Sequence, residues 1–137
     1  MRGQLIWAEH MKSLLVVALG GALGSVARYK VSEWVLYHSA SALFPAGTFL
    51  VNILGCLLIG VLAGMSMRYD SISPEARLFL FTGILGGFTT FSAFGLETFY
   101  LLRKGELLIA GANVILSVIV GLLVLWAGFN LVMLKGH

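Results

Sequence analysis

The sequence predicts an all-α membrane protein with four transmembrane helices, the third of which is broken at mid-membrane. The chain has 137 residues, of which 59% are hydrophobic and 11% charged, and its mean hydropathy is +0.98. Soluble domains are about 45–50% apolar and about 25% charged, so this composition indicates a protein of the lipid bilayer. Four apolar segments reach the roughly 20 residues that cross a bilayer. They cover residues 13–35, 45–67, 75–100 and 106–134.

Almost nothing of the chain lies outside these segments, so we expect one four-helix domain over residues 1–137 and no soluble module. The pair Met11-Lys12 resembles a natural start, and residues 1–10 are therefore expected to be a disordered extension. No small-residue cleavage site follows the first apolar run, which argues against a signal peptide. The single cysteine, Cys56, lies within the second segment and has no intrachain partner for a disulfide.

The third segment contains a run, Gly86–Phe94, that is unfavourable inside a helix. Two glycines precede Thr89 and Thr90; glycine costs about 1 kcal/mol in a helix interior, and threonine is stiff at χ1. In hydrocarbon, an interrupted helix leaves backbone N–H and C=O groups that must find partners in protein or line a watery cavity. A break at this depth therefore indicates an ion or solute site.

Turn residues agree with the segment ends. Pro45 is expected to start the second helix, and Ser73-Pro74-Glu75 reads as an N-cap, a first-turn proline and a first-turn acid. The polar sequence Arg103-Lys104-Gly105 separates the third and fourth segments. Small residues spaced i,i+4 let helix backbones approach closely in lipid. Such pairs are Gly20 with Gly24, Gly60 with Gly64, and Gly83 with Gly87.

The distribution of lysine and arginine leaves the orientation open. One side of the membrane would carry Arg2, Lys12, Arg68, Arg77 and Lys135, and the other Lys30, Arg103 and Lys104, with Arg28 at its edge. Orientation follows Lys/Arg asymmetry, and here the asymmetry is slight. Either one loop dominates insertion, or the protein inserts both ways and forms an antiparallel homodimer. Such a dimer would imitate, with two chains, the inverted repeats of many transporters.

Polar and aromatic side chains lie inside the spans, next to the break. They are Thr48 and Asn52 on span two, Phe91, Ser92 and Phe94 after the break, and Asn113 and Ser117 on span four. Residues four apart share a helix face, so spans two and four each carry a polar stripe. Buried polar groups either hold helices together or line a pathway. Two stripes beside a broken helix favour a pathway.

The chemistry of these groups suits a small anion. The amide and hydroxyls are hydrogen-bond donors, and an aromatic ring has a positive edge. Arg28 is a candidate fixed charge at a pore mouth, where it would raise the local anion concentration; snorkelling to lipid headgroups is the alternative. The carbonyls exposed at Gly86 and Thr89 have the opposite character, because they are acceptors that suit a small hard cation.

Other classes of protein fit less well. The sequence has no nucleophile–base pair, paired catalytic carboxylates or phosphate loop, so no enzyme is expected, and its histidines lack metal-ligand spacing. The basic residues do not form one patch, which argues against nucleic acid. A proton-coupled drug exporter would need a carboxylate deep in the membrane, whereas Glu33 and Glu97 lie toward span ends. A non-transporting assembly subunit is the third alternative.

The run Gly86–Phe94 resembles the Fluc (CrcB) family of bacterial fluoride channels, and the similarity extends over essentially all four spans. The segment 47–52 of span two and the segment 19–28, which ends at Arg28, are also similar to that family. Two positions depart from the pattern. Ala93 stands where relatives often carry a hydroxyl residue, and Asn113 stands where some relatives are expected to have tyrosine.

The resemblance implies a passive channel that exports fluoride from the cytoplasm across the bacterial inner membrane, built as a dual-topology homodimer with two pores. Its implied fluoride pore comprises Phe91, Phe94, Asn52, Thr48, Ser92, Ser117, Asn113 and Arg28. It also implies one structural sodium ion at the dimer centre, held by the carbonyls of Gly86 and Thr89, and no organic cofactor. Fluoride, the lipid bilayer and a second copy of the chain are the implied partners.

Overall fold

A computed structural model describes residues 2–39, 43–69 and 72–134, and every regular element in these ranges is helical. The elements are α1 (Arg2–His38), α2 (Ala46–Arg68), α3 (Pro74–Arg77), a π-helix (Leu78–Leu85), α4 (Gly86–Phe88), α5 (Phe91–Arg103) and α6 (Leu107–Leu134). With Pro74–Arg103 taken as one span, four helical segments of the described chain are long and apolar enough to cross a membrane. The prediction of four membrane-spanning segments is confirmed. Lys135 and His137 lie outside the described residues.

Helix α1 differs from the expectation for residues 1–10, because residues 2–10 are its first turns rather than a disordered segment. This stretch holds good helix formers and no proline, so the helix has no reason to start later. The helix has 37 residues, and at 1.5 Å per residue it is about 55 Å long. It therefore extends well beyond the roughly 30 Å hydrocarbon layer. An exposed ion pair joins it to α3, with Lys12 Nζ 3.4 Å from Glu75 Oε1.

The third span starts as the sequence predicts and then changes its helix type. The Ser73 hydroxyl accepts a hydrogen bond from the Ala76 N–H at 3.2 Å, and Pro74 occupies the first turn. This confirms the predicted cap. From Leu78 to Leu85 the chain forms a π-helix, a wider helix that in proteins is rare and frequently lies at functional sites.

The interruption of the third span consists of two extended residues. Thr89 has φ −79° and ψ 157°, and Thr90 has φ −151° and ψ 116°. Of the residues that predicted the break, the two threonines are extended, whereas the glycine pair is helical, since α4 continues to Phe88. Gly87 is needed for another reason, because a Cβ atom there would lie 2.5 Å from the Gly21 carbonyl oxygen of α1. The break thus falls after the glycines rather than at them.

Two close helix contacts use the predicted small residues. Helix α1 packs against the π-helix and α4, and α2 packs along α6. A Cβ atom on Gly24 would collide with the Ile84 carbonyl oxygen, and one on Gly60 with the Leu125 carbonyl oxygen. The three predicted glycine pairs all lie in these contacts, which confirms that they allow close helix packing.

Candidate functional site

Asn52 of α2 pairs with the backbone at the break. Its Oδ1 accepts a hydrogen bond from the Thr90 N–H at 2.8 Å, and its Nδ2 donates to the Thr90 carbonyl at 3.0 Å. One side chain therefore satisfies both backbone groups of an extended residue, as a neighbouring β-strand would. Unpaired backbone groups are costly in hydrocarbon, so this pairing makes the interruption tenable. Nδ2 carries a second hydrogen that this arrangement does not use.

The break leaves the carbonyl groups of residues 86–89 without their α-helical partners. In an uninterrupted α-helix the Gly86 carbonyl would accept from the Thr90 N–H, which instead donates to Asn52. The Thr89 carbonyl would accept from the Ala93 N–H, which instead donates to the Thr90 hydroxyl at 3.2 Å. The carbonyls of Gly86 and Thr89, suggested above for a cation, are thus among those that lose their α-helical partner at the break.

Arg28 contacts the break directly. Its Nη1 donates to the Thr89 carbonyl at 3.2 Å, which ties α1 to the extended segment. The sequence had indicated a charge at a pore mouth or among headgroups and gave no sign of this contact. A carbonyl oxygen has two lone pairs, so Thr89 can accept from Arg28 and still face a second ligand.

The two predicted phenylalanines lie side by side at the start of α5. The centroids of the Phe91 and Phe94 rings are 5.5 Å apart, with the planes inclined by 41°. Both rings line a cavity of about 480 Å³, here called the phenylalanine cavity, together with Asn52, Thr90 and Ser117. The Ser117 hydroxyl oxygen is buried and has no hydrogen-bond partner among the described residues. Ser117 therefore brings an unused donor close to this cavity.

A second cavity, here called the Arg28 cleft, lies between α1 and α5. It has a volume of about 560 Å³, and its lining includes Arg28, Thr48, Thr90 and Ser92. The hydroxyl oxygens of Thr90 and Ser92 are 3.3 Å apart. A guanidinium and several hydroxyl groups converge there, which is the donor chemistry expected for an anion.

A third cavity is lined by Glu97, for which the sequence leaves open a vestibule or an interfacial position. Thr48 Oγ1 donates to Glu97 Oε1 at 2.7 Å, while Oε2 is buried without a hydrogen-bond partner in the described ranges. The cavity has a volume of about 340 Å³, and Lys104 is also part of its lining. Thr48 lines this cavity and the Arg28 cleft, and Thr90 lines the cleft and the phenylalanine cavity. The Arg28 cleft thus adjoins both other cavities.

Asn113 is placed apart from the other predicted residues. It is 1% exposed, the most deeply buried polar side chain in the described part of the chain. Its Nδ2 donates to Thr98 Oγ1 at 2.9 Å, and it is not among the lining residues of the three cavities. Thr98 was missed by the sequence reasoning, because nothing in its spacing distinguishes it from an ordinary helical threonine.

The predicted residues therefore fall into three groups. The residues that line the phenylalanine cavity are Asn52, Gly86, Thr89, Phe91, Phe94 and Ser117. Those that line the Arg28 cleft are Arg28, Thr48 and Ser92. Asn113 lines neither and contacts Thr98.

Comparison with known proteins gives consistent matches over most of the chain. The model of the family described as CrcB-like protein, Camphor Resistance (CrcB), matches residues 15–129. A protein of Methylobacillus flagellatus named fluoride-specific ion channel FluC is 55% identical over 122 residues, which are 89% of this chain and 95% of that protein. Proteins of the same name from Geotalea daltonii and Rhizobium meliloti are 48% identical over 118 residues and 47% identical over 121 residues. These alignments cover 86% and 88% of this chain and 94% and 96% of the relatives.

Proposed function

This chain belongs to the family of CrcB-like proteins, and on that premise we propose that it is a fluoride-selective ion channel. It is a multi-pass membrane protein, and because its relatives are named as ion channels it is not an enzyme. The observation that carries the proposal is the phenylalanine cavity, where two aromatic rings meet the amide of Asn52 and the unused hydroxyl of Ser117. No acidic side chain is among its lining residues.

The donor set fits the physical demands of fluoride. The ion is small and strongly hydrated, and removing its water without replacement costs a large amount of free energy. A selective path must therefore replace that water with closely spaced hydrogen-bond donors. In this proposal the second hydrogen of Asn52 Nδ2 and the Ser117 hydroxyl take the place of water. The positive edges of Phe91 and Phe94 complete the shell.

The path by which anions reach that cavity would be lined by Arg28, Thr48 and Ser92. The guanidinium raises the local concentration of anions, and the hydroxyls of the cleft give them successive donors. A single strong charge in the narrow part would trap the ion, whereas neutral donors bind it weakly enough to let it leave. Asn113 belongs to the same proposed pore set, with a role argued in the next subsection.

We further propose that the working unit is an antiparallel dual-topology homodimer with two pores. Phe91 is 83% exposed in the single chain, a large area for a residue assigned to a selective pore, and a second copy would cover it. The nearly even division of lysine and arginine between the two sides supports insertion in both directions.

One structural sodium ion at the dimer centre completes this assembly. The carbonyls of Gly86 and Thr89, freed by the break, are the groups that would hold it in each chain, and oxygen ligands suit a hard cation. The ion would neutralise carbonyls that converge in a medium of low dielectric constant. Replacing sodium by N-methylglucamine should then lower the apparent melting temperature of the detergent-solubilised dimer, and an unchanged value would argue against the site.

The biological role that we propose is protection against fluoride. Hydrogen fluoride is a weak acid that enters cells from acidic surroundings and dissociates inside, so fluoride accumulates in the cytoplasm. A passive channel in the bacterial inner membrane would let it leave down its electrochemical gradient.

A fluoride-electrode efflux assay on purified protein in liposomes tests the function, with chloride efflux as the control. Phe91→Ile and Phe94→Ile should each reduce fluoride efflux strongly. Phe99→Ile, on the same helix but outside the lining of the three cavities, should conduct like the parent protein. Undiminished efflux in both pore variants would defeat the assignment, and proton-coupled ethidium transport would instead favour a drug exporter.

A further inference from the structure

Two consecutive hydrogen bonds connect Asn113 of α6 to the backbone of Phe94 through Thr98. Asn113 Nδ2 donates to Thr98 Oγ1 at 2.9 Å, and Thr98 Oγ1 donates to the Phe94 carbonyl at 2.7 Å. A threonine hydroxyl has one hydrogen and two lone pairs, so it can accept the first bond and donate the second at the same time. The first donor is almost fully buried, with Asn113 at 1% exposure. The chain of bonds therefore runs in one direction, from α6 to the turn that carries Phe94.

The break makes the rotation of α5 depend on such contacts. In an uninterrupted helix, the position of each side chain around the axis follows from the residues before it. Here Thr89 and Thr90 are extended, so the preceding helical residues do not determine how α5 is rotated about its own axis. Contacts from other helices must set it. Asn52 fixes the residue before α5, Thr90, and Asn113 fixes the third turn at Thr98.

We propose that Asn113 and Thr98 are positioning residues that fix the rotation of α5 and thereby aim the Phe94 ring into the phenylalanine cavity. This inference rests on the proposed function. A helix with its side chains is about 10–12 Å across, so a rotation of about 20° moves the outer part of a side chain by about 2 Å. Functional groups generally need to be held within about 0.5 Å of their working geometry. Loss of the two bonds would therefore be felt at the ring, although neither residue touches it.

A direct role for Asn113 in binding the anion is less consistent with its surroundings. It lines none of the three cavities described above, and one of its amide hydrogens is engaged by Thr98. Its effect on fluoride would thus be transmitted by Thr98, and the two residues should behave as one unit.

Single-channel recording in planar bilayers tests the proposal, with the reversal potential in a fluoride/chloride gradient as the second readout. Both quantities are independent of how much protein is active, so a general loss of folded protein would not move them. Thr98→Val, which keeps the shape and removes the hydroxyl, should lower fluoride conductance by about threefold or more, the scale of one lost hydrogen bond, and shift the reversal potential toward chloride. Thr98→Ser should restore both.

Asn113→Leu should reproduce the Thr98→Val phenotype, and the double variant should be no worse than either single one, because both remove the same connection. Asn130→Leu is the matched control, since Asn130 Nδ2 donates within α6 to the Trp126 carbonyl at 2.8 Å; it should conduct normally. If valine disturbs the packing, Thr98→Ala provides a second variant without the hydroxyl.

The outcomes separate the two proposals. If the parent protein conducts no fluoride, the proposed function fails. If the parent conducts and Thr98→Val matches it in conductance and reversal potential, the positioning role is overturned while the channel assignment stands. Additive effects of the two substitutions, or a Thr98→Ser variant as impaired as Thr98→Val, would also overturn the positioning role.

Discussion

The side-chain amide of Asn52 forms two hydrogen bonds, of 2.8 and 3.0 Å, with the N–H and carbonyl of Thr90. These two residues are 38 positions apart in sequence, yet the conformation of one depends on the other. An extended residue in a membrane helix exposes two strong polar groups, and one carboxamide on α2 satisfies both. The interruption is thus a property of two helices rather than of one local sequence.

Asn52→Leu should therefore destabilise the protein as well as stop conduction. The substitution leaves the Thr90 N–H and carbonyl unpaired, and each unsatisfied buried group costs roughly 1–3 kcal/mol. We expect the free energy of unfolding to fall by about 2–4 kcal/mol and fluoride efflux to become undetectable. Thermal unfolding in detergent and liposome efflux provide the two measurements. Asn52→Asp, which keeps an acceptor for the N–H but lacks the donor, should be intermediate; parent-like stability of Asn52→Leu would contradict the pairing.

Gly24→Ala should disrupt the contact of α1 with the third span. The added methyl group would collide with the Ile84 carbonyl, and overpacking costs typically 1–3 kcal/mol. Gly21→Ala is the matched control on the same helix, because a Cβ atom there meets nothing within 4 Å in the described chain. Melting temperatures of the two variants should differ clearly, with Gly21→Ala near the parent. Equal values would show that this close approach is unimportant.

Ser117→Ala should separate function from stability. The Ser117 hydroxyl is buried and has no hydrogen-bond partner among the described residues, so its removal leaves no group newly unpaired. We expect a free energy of unfolding that is unchanged or up to about 1 kcal/mol higher, together with slower fluoride efflux. If Ser117 merely filled space, the substitution would lower the free energy of unfolding and leave fluoride efflux normal.

Arg28→Gln should reduce fluoride efflux mostly at low ionic strength. The guanidinium acts on anions through its charge, which salt screens over about 10 Å at 0.1 M and 3 Å at 1 M. We expect a fall of about threefold at low salt and a smaller one at 1 M salt. Arg28→Lys keeps the charge and should be closer to the parent. An effect of equal size at both salt concentrations would point instead to loss of the hydrogen bond to the Thr89 carbonyl.

Local physical rules were sufficient for the four spans, the Ser73 cap and the close glycine contacts. They placed the break within the run Gly86–Phe94, where Thr89 and Thr90 are extended, but not its exact residues. The glycine pair before Thr89 remains helical, since α4 continues through Phe88, and Thr90, one of the two extended residues, is held by Asn52. The π-helix Leu78–Leu85 also had no local signal. The break is held by hydrogen bonds between distant parts of the chain.

In the candidate site, too, some residues could be predicted from the local sequence and others could not. Residue types and spacing identified the donors and aromatic rings that the phenylalanine cavity brings together. Thr98 and the contact of Glu97 with Thr48 were not foreseen, because a hydroxyl or carboxylate acquires its role from the partner it reaches across helices. For Asn113, the sequence indicated a polar stripe with Ser117, whereas the structure turns its amide toward α5.

The interruption also has an electrostatic consequence that involves no ionised side chain. At Thr89 and Thr90 the carboxyl end of one helical stretch meets the amino end of α5. Aligned peptide dipoles place roughly half a negative elementary charge at a helix carboxyl end and half a positive one at an amino end. In hydrocarbon such partial charges act with little screening. Two adjoining points of one backbone therefore carry partial charges of opposite sign, without any ionised side chain.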